Sequence, residues 1–275
     1  MKIKLKKLKV VPILPSLLTV GNLLSGFGSL YYLMKLDYTT AAWMIFIAMA
    51  FDMLDGKIAR FTNSTSQFGV HLDSLADVIS FGLVPAFLAL KLVVNSNGFP
   101  IRLIWALAAF YLVCATLRLA RFNTETTTKE EDHQFFFGLP TPGAAAVVAS
   151  LVILYQHLQL KIIITAMPFV LLLISALMIS RFRYSHFLNR FLKARPLTKL
   201  VEITLVVIFI YLAFEVTLSV VFLLYALSGV ANHFKQKISA RRSDVYERSA
   251  PHLPGRQTGQ KASGRAAAAE SDESR

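Results

Sequence analysis

Four aspartates stand where acids are costly. Asp52, Asp55, Asp73 and Asp77 interrupt two long apolar stretches, and an ionised Asp at the centre of a bilayer costs roughly 2.5–3.5 kcal/mol on insertion scales. Their spacing is helical. Asp52, Asp55, Gly56, Ala59 and Arg60 fall at i, i+3, i+4, i+7 and i+8 on one helical stripe. Gly69, Asp73 and Asp77 fall at i, i+4 and i+8 on the next. Two antiparallel helices joined by the short 63–69 loop would turn these stripes toward each other. The four carboxylates then converge near the cytoplasmic interface, with Arg60 about a turn closer to water.

Carboxylates that close cannot all stay ionised without cations, because like charges disfavour one another's ionised form. A cluster of hard oxygen ligands suits Mg²⁺ or Mn²⁺ and not a thiophilic metal. Two such ions would form a clamp for in-line displacement at phosphorus. Gly56 and Gly69 remove side chains where a bulky ligand must approach the backbone, and Arg60 offers a fixed fork for phosphate oxygens. Intramembrane carboxylates also mark ion pathways. A cation or proton transporter is therefore the reading from another class, and it leaves the glycines and Arg60 unexplained. Packing alone would need neither.

The composition supplies the spans that such stripes require. Of 275 residues, 55% are hydrophobic and 16% charged, with a formal net charge of +13. A soluble domain carries about 25% charged residues. Six His and the single Cys114 cannot build a disulfide framework or a Cys-rich zinc site. A nucleic-acid binder would need a basic groove on a soluble core, so no nucleic-acid partner is expected. The charge instead flanks the apolar runs. Lys2, Lys4, Lys6, Lys7 and Lys9 precede the first run, and from Phe234 onward nine Lys/Arg stand against five Asp/Glu. Such flanks fit the positive-inside pattern of an inner-membrane protein.

The chain reads as an all-α polytopic membrane protein of about eight transmembrane helices, near 14–34, 39–62, 70–94, 101–122, 140–158, 161–180, 199–213 and 216–234. The apolar stretch from 200 to 232 is split near Glu215 as a tight helical hairpin. The first run, Pro12 to Met34, exceeds a signal-peptide h-region and lacks a clear small-residue cleavage site, so it is expected to be retained. With the N-terminus inside, the loops near 35–38, 95–100 and 159–160 face outside. Those at 60–69, 121–139 and 181–198 face the cytoplasm, the last with Arg181, Arg183, Arg190, Lys193 and Arg195. Three regions follow: a basic N-terminus over 1–13, a transmembrane catalytic domain over 14–235, and a disordered basic and polar tail over 236–275.

The stretch from Asp52 to Asp77 reads D-x2-D-G-x2-A-R-x8-G-x3-D-x3-D. It resembles the complete signature of the CDP-alcohol phosphatidyltransferases, with all eight fixed positions present. The resemblance implies a six-helix membrane core with a binuclear metal site, and the two additional C-terminal spans lie outside that core. Further segments, Pro15–Gly26, Asp73–Pro85, Leu117–Asn123, Phe137–Gly143 and Ser180–Phe187, are similar to those of bacterial and archaeal phosphatidylserine synthases.

That resemblance implies transfer of a phosphatidyl group from CDP-diacylglycerol to the hydroxyl of L-serine, with loss of CMP, at two Mg²⁺ or Mn²⁺ ions. By carry-over, Asp52, Asp55, Asp73 and Asp77 are the metal ligands and Asp77 is also the general base. Gly56, Ala59, Arg60, Ser66 and Gly69 match positions expected to hold the CDP moiety, and Asn22 is a further nucleotide candidate. Arg118, Arg121 and Asn123, at the cytoplasmic end of the fourth span, are the serine candidates, against an ordinary positive-inside flank. Arg181 and Arg183 face the same choice. Glycerol-3-phosphate or inositol is the alternative acceptor, since the core motif reads the CDP and the metals. Membrane lipid is a partner throughout, and family members commonly form homodimers. His71 is expected to be structural or exposed, Cys114 a small apolar residue within a span, and Phe135–Phe137 an interfacial aromatic run.

Overall fold

The computed structural model describes residues 13–62, 66–96, 99–128, 136–180, 183–184 and 214–229. Side chains are described for these residues except 13, 60, 125–128, 136–137 and 183–184. The helices are α1 (Ile13–Met34), α2 (Tyr38–Phe61), α3 (Gln67–Asp77), α4 (Val84–Asn95), α5 (Ile101–Thr128), α6 (Thr141–Leu158) and α7 (Lys161–Ile179), followed by α8 (Phe214–Gly229). A π-helical segment, Val78–Leu83, fuses α3 and α4 into one unbroken span of 29 residues. Six long helical segments therefore run from residue 13 to 179. The expected seventh span lies outside the described residues, and α8 occupies the place of the eighth.

Five helical segments are long and apolar enough to cross a membrane: α1, the fused α3–α4, α5, α6 and α7. Helix α2 has the length, 24 residues, but carries the polar stripe described above. The sidedness of α1 is that of a lipid-facing helix. Leu14, Leu17, Leu24, Phe27, Tyr31 and Met34 are exposed, whereas Thr19, Asn22, Ser25 and Ser29 are buried. Apolar side chains outside and polar ones inside invert the pattern of a soluble helix, and lipid is the solvent that permits it.

Helix α6 lies at the centre, with Ala144 through Ala149 fully buried. Its small residues let α2, α4, α5 and α7 approach. Its entry is set by Gly138, whose φ of +79° and close approach to the Met178 and Ser180 carbonyls leave no room for a Cβ. Beside it, Leu139 N donates to Leu177 O at 3.0 Å, which ties the start of α6 to the end of α7. A two-residue antiparallel pairing, Phe136–Phe137 with Arg183–Tyr184, is the only strand pairing among the described residues.

The π segment has a local cause. Pro85 has no N–H to offer the Phe81 carbonyl four residues back, and its ring crowds that turn. Tyr111 Oη, buried in α5, donates to Phe81 O at 3.0 Å and satisfies the orphaned carbonyl. The loop into α2 is capped by Asp37, whose Oδ1 accepts from Thr40 N at 3.0 Å; hydrogen bonds from the Thr40 side chain and then from this N–H hold its carboxyl below the ordinary carboxylate range. Helix α5 runs further than the expected 101–122, to Thr128, because no Gly or Pro interrupts the chain before Gly138.

Candidate active site and metal centre

Helices α2 and α3 hold the acidic residues, and α1 packs against both. Asp52 and Asp55 lie six to nine residues before the end of α2, and Asp73 and Asp77 lie six to ten residues after the start of α3. Equal distances from the same turn put both pairs at one depth. Asp52, Asp55 and Asp73 each offer an oxygen, and these oxygens lie within 4.8 Å of one another. Asp77 stands one turn along from Asp73 and within electrostatic reach of Asp52, Asp73 and Asp55. Asp55 and Asp77 are buried and Asp52 and Asp73 half-buried.

Helix α1 orients two of the four. Thr19 Oγ1 donates to Asp55 Oδ2 at 2.8 Å, and Asn22 Nδ2 donates to Asp77 Oδ1 at 3.0 Å. Asn22, the further nucleotide candidate, thus gives one amide N–H to a carboxylate of the cluster. Its own position is fixed by Ser80 Oγ, which donates to Asn22 O at 3.1 Å from the π segment. Sequence reasoning missed Thr19, although Thr19, Asn22, Ser25 and Ser29 already formed a polar helical stripe in an apolar run.

The remaining candidates spread around this centre. A Cβ added at Gly56 would meet nothing within 4 Å, so open space adjoins the Asp52–Asp55 stripe. Ala59 is half-buried. Arg60 is helical, and its side chain lies outside the described residues. Ser66 is the N-cap of α3, its Oγ accepting from Gly69 N at 3.0 Å, a role sequence reasoning did not assign. A Cβ on Gly69 would lie 3.1 Å from that same oxygen. His71 is exposed and Cys114 buried. Phe135 and Arg181 lie outside the described residues, as do the side chains of Phe136, Phe137 and Arg183.

Of the acceptor candidates, Arg118 comes nearest the acids. It stands within electrostatic reach of Asp77 and Asp52, stacks on Phe122 at 5.5 Å and donates from Nη1 to Thr141 Oγ1 at 3.1 Å. Asn123 Nδ2 instead donates to Ser74 Oγ at 2.8 Å, bracing α5 against α3 beside Asp73. Arg121 is half-buried.

The donor set fits a hard divalent cation. Three carboxylates share one small volume, and Asp73 Oδ1 is buried without a hydrogen-bond partner. A buried, unpaired carboxylate oxygen is costly unless a cation or donor meets it. No thiol or imidazole belongs to the group, and oxygen-only ligation favours Mg²⁺-like ions.

Fold and cluster define a class: a polytopic helical membrane protein with an acidic centre enclosed by its first three spans. A family model described as CDP-alcohol phosphatidyltransferase matches residues 12–178, the stretch from α1 to α7, and the chain belongs to that family. The CDP-diacylglycerol–serine O-phosphatidyltransferase of Helicobacter pylori is 37% identical over 176 residues, 63% of this chain and 72% of its own length. The protein of the same name from Bacillus subtilis is 31% identical over 174 residues, 63% of this chain and 90% of its own. That of Saccharomyces cerevisiae is 35% identical over 143 residues, 48% and 50% of the two chains.

Proposed function

We propose that the chain transfers the phosphatidyl group of CDP-diacylglycerol to L-serine, giving phosphatidylserine and CMP. The observation that carries this reading is the convergence of Asp52, Asp55 and Asp73 within 4.8 Å, with Asp77 one turn beyond. The names of the relatives support serine as acceptor. In this reading Asp52, Asp55, Asp73 and Asp77 hold two divalent ions, Mg²⁺ or Mn²⁺. When bound, these ions polarise phosphoryl oxygens and neutralise charge on the departing phosphate.

The protein's own groups do the rest. Gly56 leaves room for the diphosphate beside α2, where Ala59, Arg60, Ser66 and Gly69 hold the CDP moiety. Asn22 fixes one oxygen of Asp77. The other oxygen accepts no hydrogen bond from the described residues and takes the proton of the serine hydroxyl. That hydroxyl oxygen bonds to the lipid-linked phosphorus, the bond from phosphorus to the CMP oxygen breaks, and CMP keeps the electron pair. Arg118 pairs with the serine carboxylate. One N–H of its guanidinium goes to Thr141 among the described residues, which leaves the rest of its five donors for an anion. The acyl chains lie in lipid, and the site opens to the cytoplasmic side of the cell membrane.

The test is a product assay. Purified protein receives CDP-diacylglycerol with L-serine, glycerol-3-phosphate or inositol in parallel. CMP release that requires L-serine and a divalent ion is expected. Release with glycerol-3-phosphate or inositol and not with serine overturns the acceptor, and cation flux in sealed vesicles with no lipid product overturns the enzyme.

A further inference from the structure

Helix α8 lies beyond the segment that matches the family, yet it is registered against α6, the central helix. His157 Nδ1 and Glu215 Oε1 are 3.9 Å apart. Ser219, buried, donates from Oγ to Ser150 O at 2.9 Å. The edge of the Tyr225 ring would lie 2.9 Å from a Cβ on Gly143. As α8 advances from Glu215 to Tyr225, its partners on α6 retreat from His157 to Gly143, so the two helices are antiparallel. Ala226 is buried, and Phe222 meets Phe46 of α2 at 5.7 Å between ring centres. The far end of α8 is thereby held at the start of α6, beside Thr141, the hydrogen-bond partner of Arg118.

We propose that Tyr225 is a positioning residue that steers the Arg118 guanidinium toward the acceptor, so that α8 completes the acceptor pocket. The inference rests on the reading of Arg118 given above. Gly143 is what admits the ring, since any side chain there would press on Cε1. Tyr225 is half-buried, and its ring packs at Gly143, two residues from the Thr141 hydroxyl that accepts from Arg118. Asp77 and Asp52 are the other groups in the field of that guanidinium. Anchored to Thr141 and bounded by a phenol seated two residues from that anchor, the cation is kept from collapsing onto the acids. It presents its remaining donors to an acceptor that bears a carboxylate beside its hydroxyl.

The experiment compares the full chain with its Tyr225→Phe, Gly143→Ala and Arg118→Lys variants, reading CMP release against L-serine and against CDP-diacylglycerol. Removing the phenol hydroxyl in Tyr225→Phe is expected to raise the KM for serine about tenfold, with kcat and the KM for CDP-diacylglycerol within about twofold. Gly143→Ala is expected to raise the same KM by displacing the ring. If Arg118→Lys raises the serine KM and Tyr225→Phe does not, the role of Tyr225 is overturned while that of Arg118 stands. If neither moves it, the Arg118 reading falls as well. A matched loss in kcat and both KM values, with a lower melting temperature, marks a merely structural tyrosine and also overturns the proposal.

Discussion

At the scale of single residues, the arrangement around Asp55 shows how a costly acid is kept in place. An isolated carboxylate rotates freely about its terminal torsion, but the Thr19 hydroxyl, 2.8 Å from Oδ2, fixes the orientation of the Asp55 carboxylate within the cluster. Partners that orient a metal ligand in this way typically govern 10–100-fold in metal affinity. Thr19→Val keeps shape and removes the donor. It is expected to weaken Mn²⁺ binding by about tenfold or more, read by the loss of the free-ion signal in electron paramagnetic resonance, with the melting temperature of the metal-free protein unchanged. An unmoved binding curve would show that Asp55 does not need this bond to serve the cluster.

At the scale of elements, the site depends on how closely α1 can approach the π segment. Gly26 lies against Ser80: an added Cβ would collide with Ser80 Oγ and sit 3.2 Å from Ser80 Cα. The same contact carries the bond from Ser80 Oγ to Asn22 O, and through Asn22 the placement of Asp77. Overpacking of this kind costs about 1–3 kcal/mol. Gly26→Ala is thus expected to lower the thermal midpoint and, by shifting Asn22, to reduce turnover as well. Adding Ser80→Ala, which removes the colliding oxygen, is expected to recover part of the stability and not the turnover, since the bond to Asn22 stays lost. Denaturation curves and CMP release on the two variants check this. Much of this layer was legible beforehand. The 3-and-4 spacing of Asp52, Asp55, Asp73 and Asp77 placed them on two facing stripes, because helical periodicity is a local property. The π segment had a signal too, in Pro85 four residues beyond Phe81, but reading it required knowing that Tyr111 could serve the stranded carbonyl. The registry of Tyr225 against Gly143 had none: it joins residues far apart in the chain, and nothing local in either stretch specifies the other.

At the scale of the whole molecule, the helix ends sort into two faces. Phe61 and Gln67, Thr128 and Thr141, and Ile179 end their spans on the face nearer the acids. Met34 and Tyr38, Asn95 and Ile101, and Leu158 and Lys161 end theirs on the other. In the sequence, the stretch 181–198 that follows Ile179 is rich in basic residues, whereas 35–38, 95–100 and 159–160 carry few. In the proposed reading the positive-inside bias puts the acidic face at the cytoplasm, where a CDP-lipid head and a soluble acceptor would both arrive. The antiparallel seating of α8 on α6 agrees, because it brings the far end of α8 to the same face. The single cysteine makes the orientation testable. Cys114 is buried within α5, so Cys114→Ala gives a cysteine-free background into which one reporter at a time can be placed. Thr62→Cys and Thr124→Cys, exposed on the acidic face, are expected to react with a membrane-impermeant maleimide only in inside-out vesicles. Lys35→Cys and Gln159→Cys are expected to react only in right-side-out ones. Reversal of that pattern would place the carboxylates on the far side of the membrane and break the link between loop charge and site. Labelling of both sets from one side would instead mean that the helix ends do not alternate across the bilayer.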